Sequence, residues 1–155
     1  MSKKIEIYTD GSSLGNPGPG GYGVVVVENS KVIREFGGYE KDTTNNRMEL
    51  TGAIEALEYI NKNHKGDDIT IYTDSAYVLG GVTTWIHGWE KNGWKTANKK
   101  SVLNQDLWQA LITLVRVFEG DLKWGKVKGH DGHVHNERAD EIATQHSSLQ
   151  QKNIL

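Results

Sequence analysis

Two aspartates end two segments of almost identical sequence, and their carboxylates are the first candidates for chemistry. The segment IEIYTDGS carries Asp10, and the segment ITIYTDSA carries Asp74. In both, apolar and polar residues alternate with the period of a β-strand. Carboxylates at the carboxyl ends of neighbouring strands repel and raise each other's pKa unless a hard divalent cation neutralises them. The repeat predicts a magnesium site; the alternative is that each aspartate only caps a turn.

Two further acids fall near predicted helix starts. Glu49 lies in the first turn of a helix predicted from Asn46 to about Asn63, on the flank of its apolar stripe, where it can face the strand ends. The alternative is that Glu49 only stabilises a helix N-terminus. Asp140 follows Asn136, the predicted N-cap of the last helix, and has a similar flanking position.

A glycine-punctuated loop, KGHDGH, brings imidazoles close to Asp140. His130, His133 and His135 lack the firm spacing of a zinc site, and the chain has no cysteine to complete one. A loop histidine beside a metal–carboxylate site fits proton transfer better, because its pKa lies near neutrality.

The elements that must position these residues follow from the hydropathy pattern. We predict a first strand ending at Asp10, a loop over GNPGPGGYG, a strand at 24–27 and a hairpin turn at 28–31. The glycines lead into a strand and not into a helix, which argues against a dinucleotide or P-loop site.

The rest of the chain completes the predicted order βββ-α-β-α-α-β-α. A short helix runs to about Trp85, a long helix covers 103–119, a strand covers 122–127 and the last helix covers 136–146. This order predicts an α/β fold with a five-stranded mixed sheet and helices on both faces.

Composition limits the class of protein. With 155 residues and 36% hydrophobic content, we expect one domain over 1–155 with a flexible tail from about 147. The apolar runs are too short for a membrane span, and the start of the chain enters a strand pattern at once, so we expect a cytoplasmic protein. The absence of cysteine excludes disulfides.

The net charge of −2 gives no support for nucleic-acid binding, but its distribution does. Residues 85–100, here called the basic segment, hold four lysines and one acid, Glu90, for a local net charge of +3. The alternative is a solvated charged face. Its tryptophans, Trp85, Trp89 and Trp94, can equally form a small core of their own.

Taken together, these features resemble the type 1 ribonuclease H family from Tyr8 to Ala143. Each block alone is a weak signal, but their order and spacing are jointly specific. The resemblance rests on YTDGSSLGNPGPGG, TTNNRMEL, YTDSAYV with the downstream WIHGWEKNGWKT, and VKGHDGHVHNERADEIA.

The resemblance implies a ribonuclease H-like fold and a monomeric endonuclease that hydrolyses the RNA strand of RNA–DNA hybrids, leaving 5′-phosphate and 3′-hydroxyl ends. Two magnesium ions would be used, with manganese as a substitute. RNA would be selected through its 2′-hydroxyls in the wide minor groove. The implied metal ligands are Asp10, Glu49, Asp74 and Asp140. His130 would assist proton transfer or product release.

The resemblance also implies how the hybrid is bound. The implied contacts to sugars and base edges are Asn16, Asn45 and Asn46. The implied contacts to deoxyriboses are Tyr77 and Trp85, and lysines including Lys91 and Lys95 would bind phosphates. The implied DNA phosphate pocket comprises Thr44, Thr96 and Asn104.

Three positions depart from the family pattern. Glu90 replaces a lysine of well-known bacterial members, Asn92 replaces an arginine of some, and Ala76 replaces a glutamine that often reads the minor groove. We therefore expect weaker or more salt-sensitive hybrid binding.

Two alternatives remain. One is a nuclease of the same fold class, such as a resolvase or an integrase-like strand transferase, and the other is a non-catalytic hybrid-binding module. Cleavage of plain DNA would favour the first, and hybrid binding without cleavage would favour the second.

Overall fold

The computed structural model of the chain describes residues 2–127 and 134–154, with 150–154 by backbone alone. The strands are β1 (Lys4–Ser13), β2 (Gly18–Glu28), β3 (Lys31–Thr43), β4 (Asp68–Thr73) and β5 (Asp121–Lys126). The helices are α1 (Asn45–Asn63), α2 (Ala76–Gly80), a π-helical turn (Gly81–Trp85), α3 (Ile86–Lys91), α4 (Gln105–Val117) and α5 (Val134–Ile154).

The five strands form one mixed sheet in the order β3-β2-β1-β4-β5. The pairs β1–β2 and β2–β3 are antiparallel, whereas β1–β4 and β4–β5 are parallel. The predicted hairpin turn is confirmed: Asn29 and Ser30 connect β2 to β3, both with positive φ, as a tight two-residue turn requires.

Helices cover both faces of the sheet, as predicted. Alternation along β1 sends Ile5 and Ile7 into the larger core, which contains residues of α1 and α4, and sends Tyr8 into the smaller core beneath α5. Trp108 of α4 is fully buried in the larger core.

The glycine-rich segment predicted as a loop is mostly strand, so that prediction is wrong. Only Leu14–Pro17 separates β1 from β2. A Cβ on Gly21 would collide with the carbonyl oxygen of Ala143, and one on Gly23 with that of Ala139. The glycines therefore allow the backbone of α5 to lie directly against β2.

The first strand also continues past its predicted end at Asp10, and pairs with β2 as far as Ser13. The glycine at position 11 does not break the strand. A Cβ there would collide with the backbone of Met48 in α1, so Gly11 serves close helix–strand packing.

The helix predicted from Asn46 is confirmed. Thr44 is its N-cap, and its Oγ1 accepts a hydrogen bond from the Arg47 backbone N at 3.2 Å. The predicted N-cap of the last helix is wrong: α5 begins at Val134, which places Asn136 inside its first turn.

The last helix also extends beyond its predicted end at His146. Ser147 is 1% exposed, and its Oγ donates to the carbonyl oxygen of Thr144 at 3.0 Å. Its Oγ also lies 3.3 Å from that of Ser12 in β1. A polar residue that the sequence assigns to a tail is thus packed against the sheet.

Candidate active site

Three carboxylates meet where β1 and β4 run side by side. Tyr8 pairs with Tyr72 in the parallel register, so Asp10 and Asp74, each two residues further on, lie at the same level. Glu49 reaches this point from α1. One carboxylate oxygen from each of Asp10, Glu49 and Asp74 lies within 4.8 Å of the other two.

Gly11 fixes the position of Glu49 in two ways. Its missing side chain lets α1 approach β1, and its backbone N donates a short hydrogen bond to Oε1 of Glu49. The carboxylate of Glu49 is thereby directed at the strand end and not at solvent.

Burial makes this cluster electrostatically unfavourable without a cation. Asp10 is 8% exposed and Glu49 is 6% exposed. Burial, and next the charge of Glu49, raise the pKa of Asp10 well above its usual range. Burial also raises the pKa of Glu49. Among the residues described, no lysine or arginine forms an ion pair with either carboxylate.

Asp140 adjoins the cluster from the other face of the sheet. It lies on α5, is exposed, and contributes to the raised pKa of Asp10. The structure therefore brings Asp10, Glu49 and Asp74 together, with Asp140 beside Asp10. His130, the fifth predicted catalytic residue, lies outside the described residues, as does His133.

His135, the third histidine of the zinc alternative, is committed to packing. Its ring lies 5.3 Å from that of Tyr8, and Tyr8 stacks on Tyr72 at 5.0 Å. In the described part of the chain, the group of residues able to hold a metal ion is purely carboxylate. Oxygen ligands of this kind suit a hard divalent cation.

Two of the three predicted base-edge contacts are linked to each other beside the acids. The backbone N of Asn45 donates to Oδ1 of Asn16 at 3.0 Å, which ties the β1–β2 turn to the start of α1. Asn16, Asn45 and Asn46 are all exposed.

The three residues of the predicted phosphate pocket come from three different parts of the chain. Thr44 caps α1, and Asn104 precedes α4, where its Oδ1 accepts from Nη1 of Arg47 at 3.2 Å. Thr96 instead bonds with Lys100 inside the basic segment.

Arg47 is the residue that sequence reasoning missed here. Its guanidinium binds both carboxylate oxygens of Asp106, at 3.1 and 2.8 Å, in addition to Asn104. The signal was present in the sequence, because Arg47 stands two residues before Glu49 in the TTNNRMEL block. Its partner on α4 is 59 residues away and carries no periodic signal.

Tyr77 is anchored by its hydroxyl. The hydroxyl oxygen accepts hydrogen bonds from Nδ2 of Asn104 at 3.0 Å and from Nε1 of Trp108 at 3.1 Å. Its ring lies 6.2 Å from that of Trp85, which is 43% exposed. Of the two predicted deoxyribose contacts, Trp85 therefore offers the more open ring face.

The basic segment is fastened to the larger core by aromatic side chains. Trp89 lies 6.0 Å from Trp94 and 5.5 Å from Trp108 of α4, and both Trp89 and Trp94 are half-buried. These two rings thus join the main core and do not form a separate one. Lys91 and Lys95 are exposed.

Two of the three positions that depart from the family pattern, Asn92 and Ala76, lie in and near short helices. Asn92 closes the turn after α3: its Oδ1 accepts from the Lys95 backbone N at 3.1 Å, and its Nδ2 donates to the Lys95 carbonyl oxygen at 3.0 Å. Ala76 is the exposed first residue of α2. In the part of the chain that the structure describes, no helix is long and apolar enough to cross a membrane.

Strand order 3-2-1-4-5, with acids converging just beyond the parallel pairing of β1 and β4, defines a hydrolase of ribonuclease H-like fold. The chain belongs to the ribonuclease H family, type 1: the family model described as RNase H matches residues 2–148. A ribonuclease H of Caulobacter sp. (strain K31) is 54% identical over 143 residues, which cover 92% of this chain and 89% of that protein.

Further relatives agree. A ribonuclease H of Escherichia coli O139:H28 is 52% identical over 143 residues, covering 92% of this chain and 88% of that protein. Among solved structures, LC9-RNase H1, described as a type 1 RNase H with the type 2 active-site motif, has a TM-score of 0.81 at 34% identity. The match covers 97% of this chain and 74% of that one.

Proposed function

We propose that the protein hydrolyses the RNA strand of RNA–DNA hybrids at the carboxylate cluster and leaves 5′-phosphate and 3′-hydroxyl ends. The observation that carries this proposal is the convergence of Asp10, Glu49 and Asp74 within 4.8 Å in a member of the ribonuclease H family. Hybrid recognition rests on that membership and on the exposed polar and basic groups around the cluster.

Divalent cations fit this cluster because, among the described residues, no cationic side chain forms an ion pair with its buried carboxylates of raised pKa. Asp10, Glu49, Asp74 and Asp140 would hold two magnesium ions, with manganese as a substitute. When bound, the metal supplies activation of a water and stabilisation of the leaving 3′ oxygen. The four carboxylates orient the scissile phosphate indirectly, and His130 moves a proton or assists product release.

The groups around the cluster divide between the two strands. Asn16, Asn45 and Asn46 would bind sugars and base edges, with RNA selected by its 2′-hydroxyls. The DNA strand would meet Tyr77 and Trp85 through its deoxyriboses. Its phosphates would meet Lys91, Lys95, Thr96, Thr44 and Asn104. We further propose that the protein is a cytoplasmic monomer. Light scattering of the purified chain would test the monomeric state.

The decisive experiment offers four labelled duplexes with magnesium: RNA–DNA hybrid, RNA–RNA, DNA–DNA and a single ribonucleotide in DNA. We expect cleavage of the hybrid alone within the RNA strand, and none in EDTA. End analysis should show 5′-phosphates. Cleavage of plain DNA would replace the proposal with the resolvase or integrase-like alternative, and tight hybrid binding without cleavage would indicate a binding module.

A further inference from the structure

Glu90 is the single acid of the basic segment, and it stands among groups proposed to bind phosphates. A free carboxylate there would repel the DNA strand. In the structure it is not free. Nη1 of Arg116 donates to its Oε2 at 2.6 Å, and Nη2 donates to its Oε1 at 2.5 Å. Both oxygens of the carboxylate are thus occupied by one guanidinium.

Two-point pairing of this kind is the strongest geometry for an arginine and a carboxylate. The hydrogen bonds from Arg116 lower the pKa of Glu90, and those to Glu90 raise the pKa of Arg116. Both partners therefore stay ionised, and their charges balance.

The four lysines of the basic segment have no such partner. In the described residues, Lys91, Lys95, Lys99 and Lys100 form no ion pair. Because Arg116, which lies outside the basic segment, balances the charge of Glu90, the effective charge of the basic segment rises from +3 to +4. The sequence alone could not show this, because Arg116 is 26 residues away on α4.

The pair also holds α3 at a second point. Trp89 contacts Trp108 near the start of α4, whereas Glu90 contacts Arg116 near its end. Eight residues separate these two points on α4, about 12 Å along its axis. Two adjacent residues of α3, Trp89 and Glu90, therefore contact α4 at two separate points.

We propose that Arg116 is a positioning residue for hybrid binding: it holds the Glu90 carboxylate on α4, so that the lysines of the basic segment act on the DNA phosphates unopposed. This inference rests on the proposed function. It predicts that Glu90, while paired with Arg116, does not weaken binding of the hybrid, contrary to the expectation from the sequence.

The test compares variants that break the same pair from opposite sides, using the full chain with magnesium and a labelled hybrid. In Arg116→Gln, the freed carboxylate opposes the lysines. We expect KM to rise about threefold to fivefold with unchanged kcat, and the log–log salt slope to become shallower by about 0.9. In Glu90→Gln, KM should be equal to or below that of the unaltered protein.

A double variant, Glu90→Gln with Arg116→Gln, should restore KM and the salt slope. A KM that stays raised in the double variant would show that Arg116 itself contacts the substrate, and would overturn the proposal. A rise in KM of equal size in both single variants would do the same, because a purely structural pair is lost equally from either side.

Lys65→Gln is the matched control. Lys65 pairs with Glu119 beyond the end of α1, and its loss changes net charge as Arg116→Gln does. We expect no change in KM; a rise equal to that of Arg116→Gln would show that overall charge, and not the pair, matters. Absence of hybrid cleavage by the unaltered protein would refute the proposed function itself, whereas cleavage with no effect of Arg116→Gln would refute only this inference.

Discussion

The carboxylate cluster and the basic segment solve opposite electrostatic problems. The cluster brings like charges from separate elements into a buried space, and the fold must hold them together. The basic segment spaces like charges along sixteen consecutive residues in solvent, and its single acid, Glu90, forms an ion pair with Arg116 of α4. The first arrangement depends on the whole sheet, whereas the second depends on a few anchors. Substitutions in the cluster should therefore nearly abolish cleavage, whereas substitutions in the basic segment should weaken hybrid binding to different degrees.

The largest effect should come from the cluster. Asp10→Asn should lower the single-turnover rate of hybrid cleavage by about 10²- to 10³-fold or more, because a ligand for the charge-stabilising cations is lost. Circular dichroism should show an intact fold. Asp121→Asn, an exposed acid at the opposite end of the sheet, is the control and should keep full activity. Equal losses in both variants would break the contrast.

A smaller effect should come from the anchors of the basic segment. Trp89→Ala removes a half-buried ring that joins Trp94 to Trp108, and should lower the free energy of unfolding by about 2 kcal/mol in urea titrations. KM for the hybrid should rise. Trp85→Ala, which truncates a more exposed ring, should raise KM with little loss of stability. If both variants lose stability equally, the segment is not held in the way described.

The smallest effect concerns the metal-free cluster. The pKa of Glu49 is raised to about 7, so its contribution to stability is present below the ordinary carboxyl pKa and is lost as pH rises through 7. In EDTA, the free energy of unfolding should fall by up to about 2 kcal/mol between pH 5.5 and 8.

Asp74→Asn should flatten that pH dependence in part, since it removes a charge that raises the pKa of Glu49, and magnesium should flatten it in the unaltered protein. Urea unfolding at the two pH values provides the measurement. An unchanged slope in the variant would show that the acids do not repel one another as their burial implies.

Sequence periodicity predicted the carboxylate cluster because each acid can be placed from the pattern of its own strand or helix. Two strands with one pattern, IxIYTD, pair in parallel register, and the turn of α1 that follows Thr44 carries Glu49 on a predictable flank. The topological rule for strand ends then joins residues that lie 64 positions apart. No distance between side chains had to be known.

The errors arose where tertiary contact overrides local preference. Glycines at 21 and 23 favour a loop by propensity, yet they form strand because α5 needs their surface. Ion pairs between distant helices, such as Arg47 with Asp106, leave no pattern in the sequence. The partner of Glu90, Arg116, is equally hidden from sequence reasoning, because it lies 26 residues away on α4.

The bare surface that β2 presents to α5 has a mechanical consequence. Helices normally settle into grooves between side-chain ridges, and those ridges resist sliding along the helix axis. Glycines provide no ridges, so the axial register of α5 must be set elsewhere. The ring of His135 against Tyr8, and the Arg138 guanidinium on both oxygens of Glu35 at 3.0 and 3.3 Å, provide that stop. These contacts, which lie outside the carboxylate cluster, therefore help to set where Asp140 stands relative to Asp10.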